Sequence, residues 1–209
     1  MNFSVFKDIM CPLLKKWWFS LLLLWPAWMI TEQYWLALAR NILMAYKYEY
    51  PGLLWPLFFA LDNLSLILHE GGHTIFGLFG SRFLAILGGS LMQLLIPFLV
   101  LISAWWKQQK IGAQASLFWL AYAWMDSAAY CADAKYQDLP LIGNLPKSAH
   151  DFTNLLNMTS LLEHYRTIAW IMYAIGFLAL LGALLWPLFQ KKETESVHLG
   201  NQLQKAGLN

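Results

Sequence analysis

His69-Glu70-Gly71-Gly72-His73 is the densest run of chemically capable side chains in the sequence. The pattern is H-E-x-x-H. On a helix, residues four apart share a face one turn apart, so both imidazoles can bind one Zn²⁺ at roughly 2.0–2.1 Å. Glu70 projects about 100° away, toward a water on the metal rather than the metal itself. There it would take the water's proton and later hand it to a leaving amine. With five histidines in 209 residues, roughly 0.003 chance occurrences are expected, so the pattern carries information. The competing readings are a haem or non-catalytic metal site, and a polar cluster that only holds helices together.

A tetrahedral catalytic zinc needs a third protein ligand and an open position. Asp126, Tyr130 and Asp133 recur at +4 and +7, so they share one helix face, and carboxylates in an apolar helix should face the protein interior. A loop with turn residues follows, Leu139-Pro140-Leu141-Ile142-Gly143, and then His150 and Asp151 before a short helix over 151–163. His150 or Asp133 is the expected third ligand, with Asp151 behind them and the remaining residues orienting the ligands. The plainer alternatives are a solvated charge at Asp133 and a helix cap at His150-Asp151.

The site helix carries a polar stripe of Asp62, Ser65, His69 and His73. Asp62 is a candidate acceptor behind the ligands, through Ser65, or else faces a headgroup or a neighbouring helix. Gly71, Gly72, Gly77 and Gly80, with Gly88-Gly89-Ser90 beyond, predict close packing of two helices. Gln93 faces the same way as Gly89 and is a candidate substrate contact.

These residues must be positioned by apolar elements. The chain is 59% hydrophobic and 12% charged, with a mean hydropathy of +0.47. Soluble domains carry about 45–50% and about 25%. That excludes a cytosolic domain, a disordered chain and a disulfide-stapled module. A net charge of +2 gives no reason to expect nucleic acid. Cys11 and Cys131 have no metal spacing.

Spans of about 20 apolar residues fall at 83–106, 111–132 and 167–189. The stretch 52–80 is long enough but carries Asp62, Asn63, His69, Glu70 and His73. The stretches 17–30 and 34–46 read as a hairpin of short helices. The expected fold is therefore all-α, a polytopic transmembrane helical bundle of about six membrane segments over 1–189. A polar cytoplasmic tail follows at 190–209. Lys15-Lys16 precede an apolar run with no small-residue cleavage pattern after it, so a retained anchor is expected. Six crossings with the N-terminus inside put ten of the fourteen Lys and Arg in the cytoplasm, whereas one span over 17–38 gives seven and seven. The first count favours cytoplasmic termini and a site toward the extracytoplasmic half. A bacterial inner membrane suits the short loops.

Leu68-His69-Glu70-Gly71-Gly72-His73-Thr74-Ile75-Phe76-Gly77 resembles the active-site helix of site-2-type intramembrane zinc metalloproteases. The resemblance implies His69 and His73 as zinc ligands and Glu70 as the catalytic carboxylate. That family's third ligand is an aspartate in an Asp-Gly pair, and no Asp-Gly occurs here. Tyr130-Cys131-Ala132-Asp133-Ala134, with Leu139-Pro140-Leu141 and His150-Asp151, is similar to small bacterial membrane proteins that also carry H-E-x-x-H. That likeness groups Asp133, His150 and Asp151 with the site. The leading expectation is a zinc metallopeptidase whose partners are membrane lipid and a protein or peptide substrate within or beside the membrane. The substrate would be locally unwound, because a helix hides its peptide bonds. The alternatives are a membrane zinc hydrolase of lipid-linked or small amide substrates, and a non-catalytic metal-binding scaffold.

Overall fold

A computed structural model describes residues 3–40 and 52–189, and every regular element among them is helical. The elements are α1 (Phe3–Arg40), α2 (Trp55–Gly77), α3 (Arg82–Trp106), α4 (Lys110–Ala132), α5 (Asp151–Met158) and α6 (Tyr165–Leu185). The long helices begin and end close to the spans expected from hydropathy. The tail 190–209 lies outside the described residues.

The expected N-terminal hairpin is instead one continuous helix as far as Arg40, and residues 41–46 of its second arm lie outside the described residues. Thr31-Glu32-Gln33 separates the two expected arms. None of the three breaks a helix, and the Thr31 hydroxyl donates to the Ala27 carbonyl at 2.7 Å, satisfying itself within the helix. The six-crossing count behind the ten-to-four charge split assumed a turn between those two arms.

Gly80, three residues past the end of α2, takes the left-handed conformation at φ +71° that turns the chain toward α3. Ser81 then caps α3, its side chain accepting from the Leu84 amide at 3.4 Å. The two helices fold back on each other and touch backbone to backbone. A Cβ on Gly72 would sit 2.1 Å from the Gly88 carbonyl oxygen, and one on Gly88 would sit 2.6 Å from that of Gly72. The close approach expected from the glycine pattern is thus made by this pair.

The main apolar core lies among α1, α4 and α6, around Ile30, Tyr34, Tyr122, Met125 and Leu180. Gly176 on α6 lets the Ala121 carbonyl and the Met125 side chain approach from α4. Tyr173 donates to the Thr31 carbonyl at 3.2 Å and Arg166 to the Leu38 carbonyl at 3.3 Å, tying α6 to α1. Outward, the bundle shows large apolar side chains such as Trp28, Ile67 and Leu178, about two-thirds exposed each. Among the described residues two helical segments are long and apolar enough to cross a membrane, Arg82–Trp106 and Leu162–Phe189.

Candidate metal centre

His69 and His73 lie one turn apart on α2 with ring centroids 4.8 Å apart. Their Nε2 atoms converge on Asp151 Oδ2, at 2.9 Å from His69 and 3.3 Å from His73. The other ring nitrogen of each histidine is already committed. His73 Nδ1 lies 2.8 Å from the Ala85 carbonyl oxygen. A carbonyl only accepts, so Nδ1 must carry the hydrogen. His69 Nδ1 lies 3.3 Å from Gln93 Oε1. The Gln93 amide cannot turn round, because its Nε2 donates to Asp126 Oδ2 at 2.8 Å. His69 Nδ1 is therefore a donor too. Both Nε2 lone pairs then point, with a carboxylate, at one spot. Such a spot needs positive charge, either protons on the rings or a cation.

A cation fits. Two imidazole nitrogens and one carboxylate oxygen, all within 4.8 Å of one another, could hold a metal ion. In a tetrahedral site with bonds of roughly 2.0–2.1 Å the ligand atoms lie about 3.3 Å apart, close to the two distances from Asp151 Oδ2, 2.9 and 3.3 Å. The space is kept open by Gly89. A Cβ there would fall 2.6 Å from His73 Nε2 and 2.8 Å from His69 Nε2. Burial would raise the Asp151 carboxyl, but hydrogen bonds from His69 and then His73, formed when their Nε2 atoms carry protons in place of a metal, outweigh that and lower it to about 2. Near neutral pH it is ionised, the form that binds metal.

No protein-family model, curated protein or solved structure matches this chain. The site is therefore read from its own geometry.

The structure exchanges the roles expected of three residues. Asp151 joins the histidines, while Asp133 and His150 do not. Asp133 is fully buried and spends its carboxylate on the loop that follows it, accepting from the Asp138 amide at 2.8 Å and the Leu139 amide at 3.0 Å. His150, also fully buried, caps α5 by accepting from the Thr153 amide at Nδ1, 3.3 Å away. Its Nε2 faces Asp133 Oδ2 at 3.4 Å. The pair fastens the two ends of the 133–150 loop to each other. Asp151, the next residue, is thereby delivered to α2. Tyr130 completes the fastening: its ring lies 4.3 Å from that of His150, and its hydroxyl accepts from the Asp151 amide at 3.2 Å.

The remaining expected residues line one cavity of about 480 Å³ with the histidines: Asp62, Glu70, Gln93, Asp126, Tyr130 and Asp151. Asp62 does not reach His69 through Ser65. It accepts from the Tyr122 hydroxyl of α4, and Ser65 Oγ has no hydrogen-bond partner among the described residues. Gln93 is buried between His69 and Asp126 and orients the His69 ring. Three contributors carried no signal in the sequence. Tyr34 reaches Asp126 Oδ1 at 3.2 Å from α1, Tyr122 anchors Asp62, and Ala85 acts through its backbone. An aromatic hydroxyl opposite a carboxylate on a distant helix leaves no local spacing to read.

Proposed function

We propose that this chain is an integral membrane zinc metallopeptidase, an all-α bundle that hydrolyses peptide bonds at His69, His73 and Asp151. One observation carries the reading. The Nε2 atoms of two imidazoles, whose Nδ1 atoms face the Gln93 and Ala85 oxygens, converge with the Asp151 carboxylate on one point, and Glu70 stands on the same cavity wall. That donor set, two His and one carboxylate, suits zinc in hydrolytic sites. The outward-facing Trp, Leu and Ile side chains support lipid as the surrounding medium. The likeness of the H-E-x-x-H helix to site-2-type proteases points the same way.

When bound, zinc would polarise the scissile carbonyl and make a water acidic enough to attack near neutral pH. The protein's own groups do the rest. Glu70, on α2 between the two ligands, accepts the proton of the attacking water and passes it to the leaving amine. Water adds across the C–N bond, giving a carboxylate and an amine. Asp126 holds Gln93, and Gln93 holds the His69 ring in the tautomer that leaves Nε2 unprotonated. The cavity, walled by α2, α4 and the 139–145 loop, admits an unwound segment rather than an intact helix.

Glu70→Gln tests the reading. The variant should keep one zinc per chain by elemental analysis and lose peptide cleavage by about 10²–10⁴-fold, the usual range for a general base. Full turnover by Glu70→Gln, or wild-type protein that binds no metal, would sink it.

A further inference from the structure

The end of the bundle away from the metal centre carries one sign of charge. Gln114 on α4 fixes which helix segments meet there. Its Nε2 donates to Ser20 Oγ of α1 at 2.7 Å and to the Ala183 carbonyl of α6 at 2.8 Å. Ala104 of α3 packs with Ala113 in the same layer, and the Trp105 ring lies 6.2 Å from that of Trp186. Lys15 and Lys16 are within about 8 Å of Ser20 along α1, at 1.5 Å per residue. Lys107 follows the end of α3, and Lys110 opens α4. All four lysines are exposed.

No Asp or Glu occurs in 10–31, 97–125 or 167–189, the segments that build this end. The flanking Lys7-Asp8 and Lys191-Lys192-Glu193-Thr194-Glu195 each cancel in charge. The site end is mixed instead: Lys135 pairs with Glu163 at 2.7 Å, and Asp138 follows three residues along the chain. Exposed lysine alone is ordinary. What distinguishes this end is the indole beside it. Trp18, Trp105 and Trp106 are 50%, 61% and 81% exposed, within two residues of Lys16 or Lys107. An exposed indole suits the headgroup level of a bilayer, where its apolar ring and its N–H are both accommodated. A neighbouring ammonium reaches the phosphates while its stem lies along the apolar surface. Four ammonium groups, with no carboxylate in their own segments, gain most from headgroups of net negative charge.

We propose that this collar of lysine and tryptophan is a binding surface for anionic phospholipid headgroups. The inference rests on the membrane part of the proposed function and is independent of the peptidase. The collar is also remote from the metal centre. Asp126, which holds Gln93 and through it His69, is twelve residues beyond Gln114 on α4, about 18 Å along the axis.

The test uses the full chain in an uncharged detergent. Phosphatidylglycerol and phosphatidylcholine with matched acyl chains are titrated, and bound lipid is counted by native mass spectrometry. Phosphatidylglycerol should bind about tenfold tighter or more. Lys15→Gln, Lys16→Gln and Lys107→Gln should each cut that preference about fivefold, while Arg at the same positions preserves it. Lys135→Gln with Lys147→Gln, at the site end, should leave it unchanged, and every variant should keep the wild-type helix content and unfolding temperature. Soluble glycerol 3-phosphate should not displace the lipid. Equal binding of the two lipids, a preference that survives the triple Gln variant, one lost equally at the site end, or displacement by glycerol 3-phosphate overturns the collar. A chain that stays monodisperse without detergent loses the membrane reading as well. One that needs detergent but binds both lipids equally loses the collar alone.

Discussion

α2 and α4 are both 23-residue helices, and they are held in opposite ways. α4 buries fourteen residues, distributed around the whole helix, and stands in the middle of the bundle. α2 buries three, Phe58, Ser65 and Gly72, each seven residues after the last. They form one strip along a single face, so α2 is a wall and α4 a post. All the H-E-x-x-H chemistry is on the wall. A helix packed on every side has no face left for a cavity, whereas one held by a single strip can offer His69, Glu70 and His73 to a substrate. The cost is that its position depends largely on one neighbour, α3, which it meets most closely at the Gly72–Gly88 crossing, together with the Tyr122–Asp62 bond and the convergence on Asp151.

The largest expected effect separates metal ligands from the residues that deliver them. His69→Ala, His73→Ala or Asp151→Ala should each reduce bound metal from one per chain to near none under dilute zinc, because a tetrahedral site with two protein ligands is weak. Asp133→Ala and His150→Ala should still take up one metal at saturation. They should also unfold at lower temperature, since each leaves its buried partner without its counterpart. If Asp133→Ala loses metal as completely as Asp151→Ala, the exchange of roles between them is wrong.

That exchange shows what is legible in a sequence. His69 and His73 can be found because their relation is local: the helix alone sets the distance between i and i+4. The glycine seam is legible for the same reason, as small residues at helical spacing need no knowledge of the partner. Asp151 could not be picked from Asp133 and His150. All three have ligand chemistry, and only the path of the 133–150 loop decides which one arrives. That path is set by two backbone amides turning back onto Asp133 and by His150 being used up as a cap. The error at α1 has a different source. Two short apolar stretches suggest a hairpin, but no residue between them breaks the helix, and α1 runs on to carry Tyr34 to Asp126.

Packing at the wall's single strip gives the next effect. Gly72→Ala would put a methyl group into the Gly88 backbone, which cannot swing aside as a side chain can. Overpacking of this kind costs about 1–3 kcal/mol, and the helices must separate to relieve it. A lowered unfolding temperature together with weakened zinc binding is expected, because the same movement carries both histidines away from Asp151. Smaller again is the loss of the tautomer-setting chain. Gln93→Ala removes the acceptor for His69 Nδ1 and should weaken zinc affinity about 10–100-fold without changing the saturating stoichiometry. Asp126→Ala, one bond farther out, should do less. A Gln93→Ala affinity equal to wild type would mean that His69 finds its orientation elsewhere.

Gly71 supplies the smallest effect and the sharpest contrast. It adjoins Gly72 in the same helix and the same motif, yet a Cβ there would meet nothing within 4 Å. Its backbone is helical, so the substitution imposes no strain, and glycine in a helix interior is less stable than alanine by roughly 0.5–1 kcal/mol. Gly71→Ala should therefore raise the unfolding temperature slightly and leave zinc stoichiometry alone, while the same change one residue later does the opposite. If both variants are damaged alike, the helix as a whole demands small residues and the strip is not what holds it. If only Gly72→Ala is damaged, the wall hangs on one crossing point.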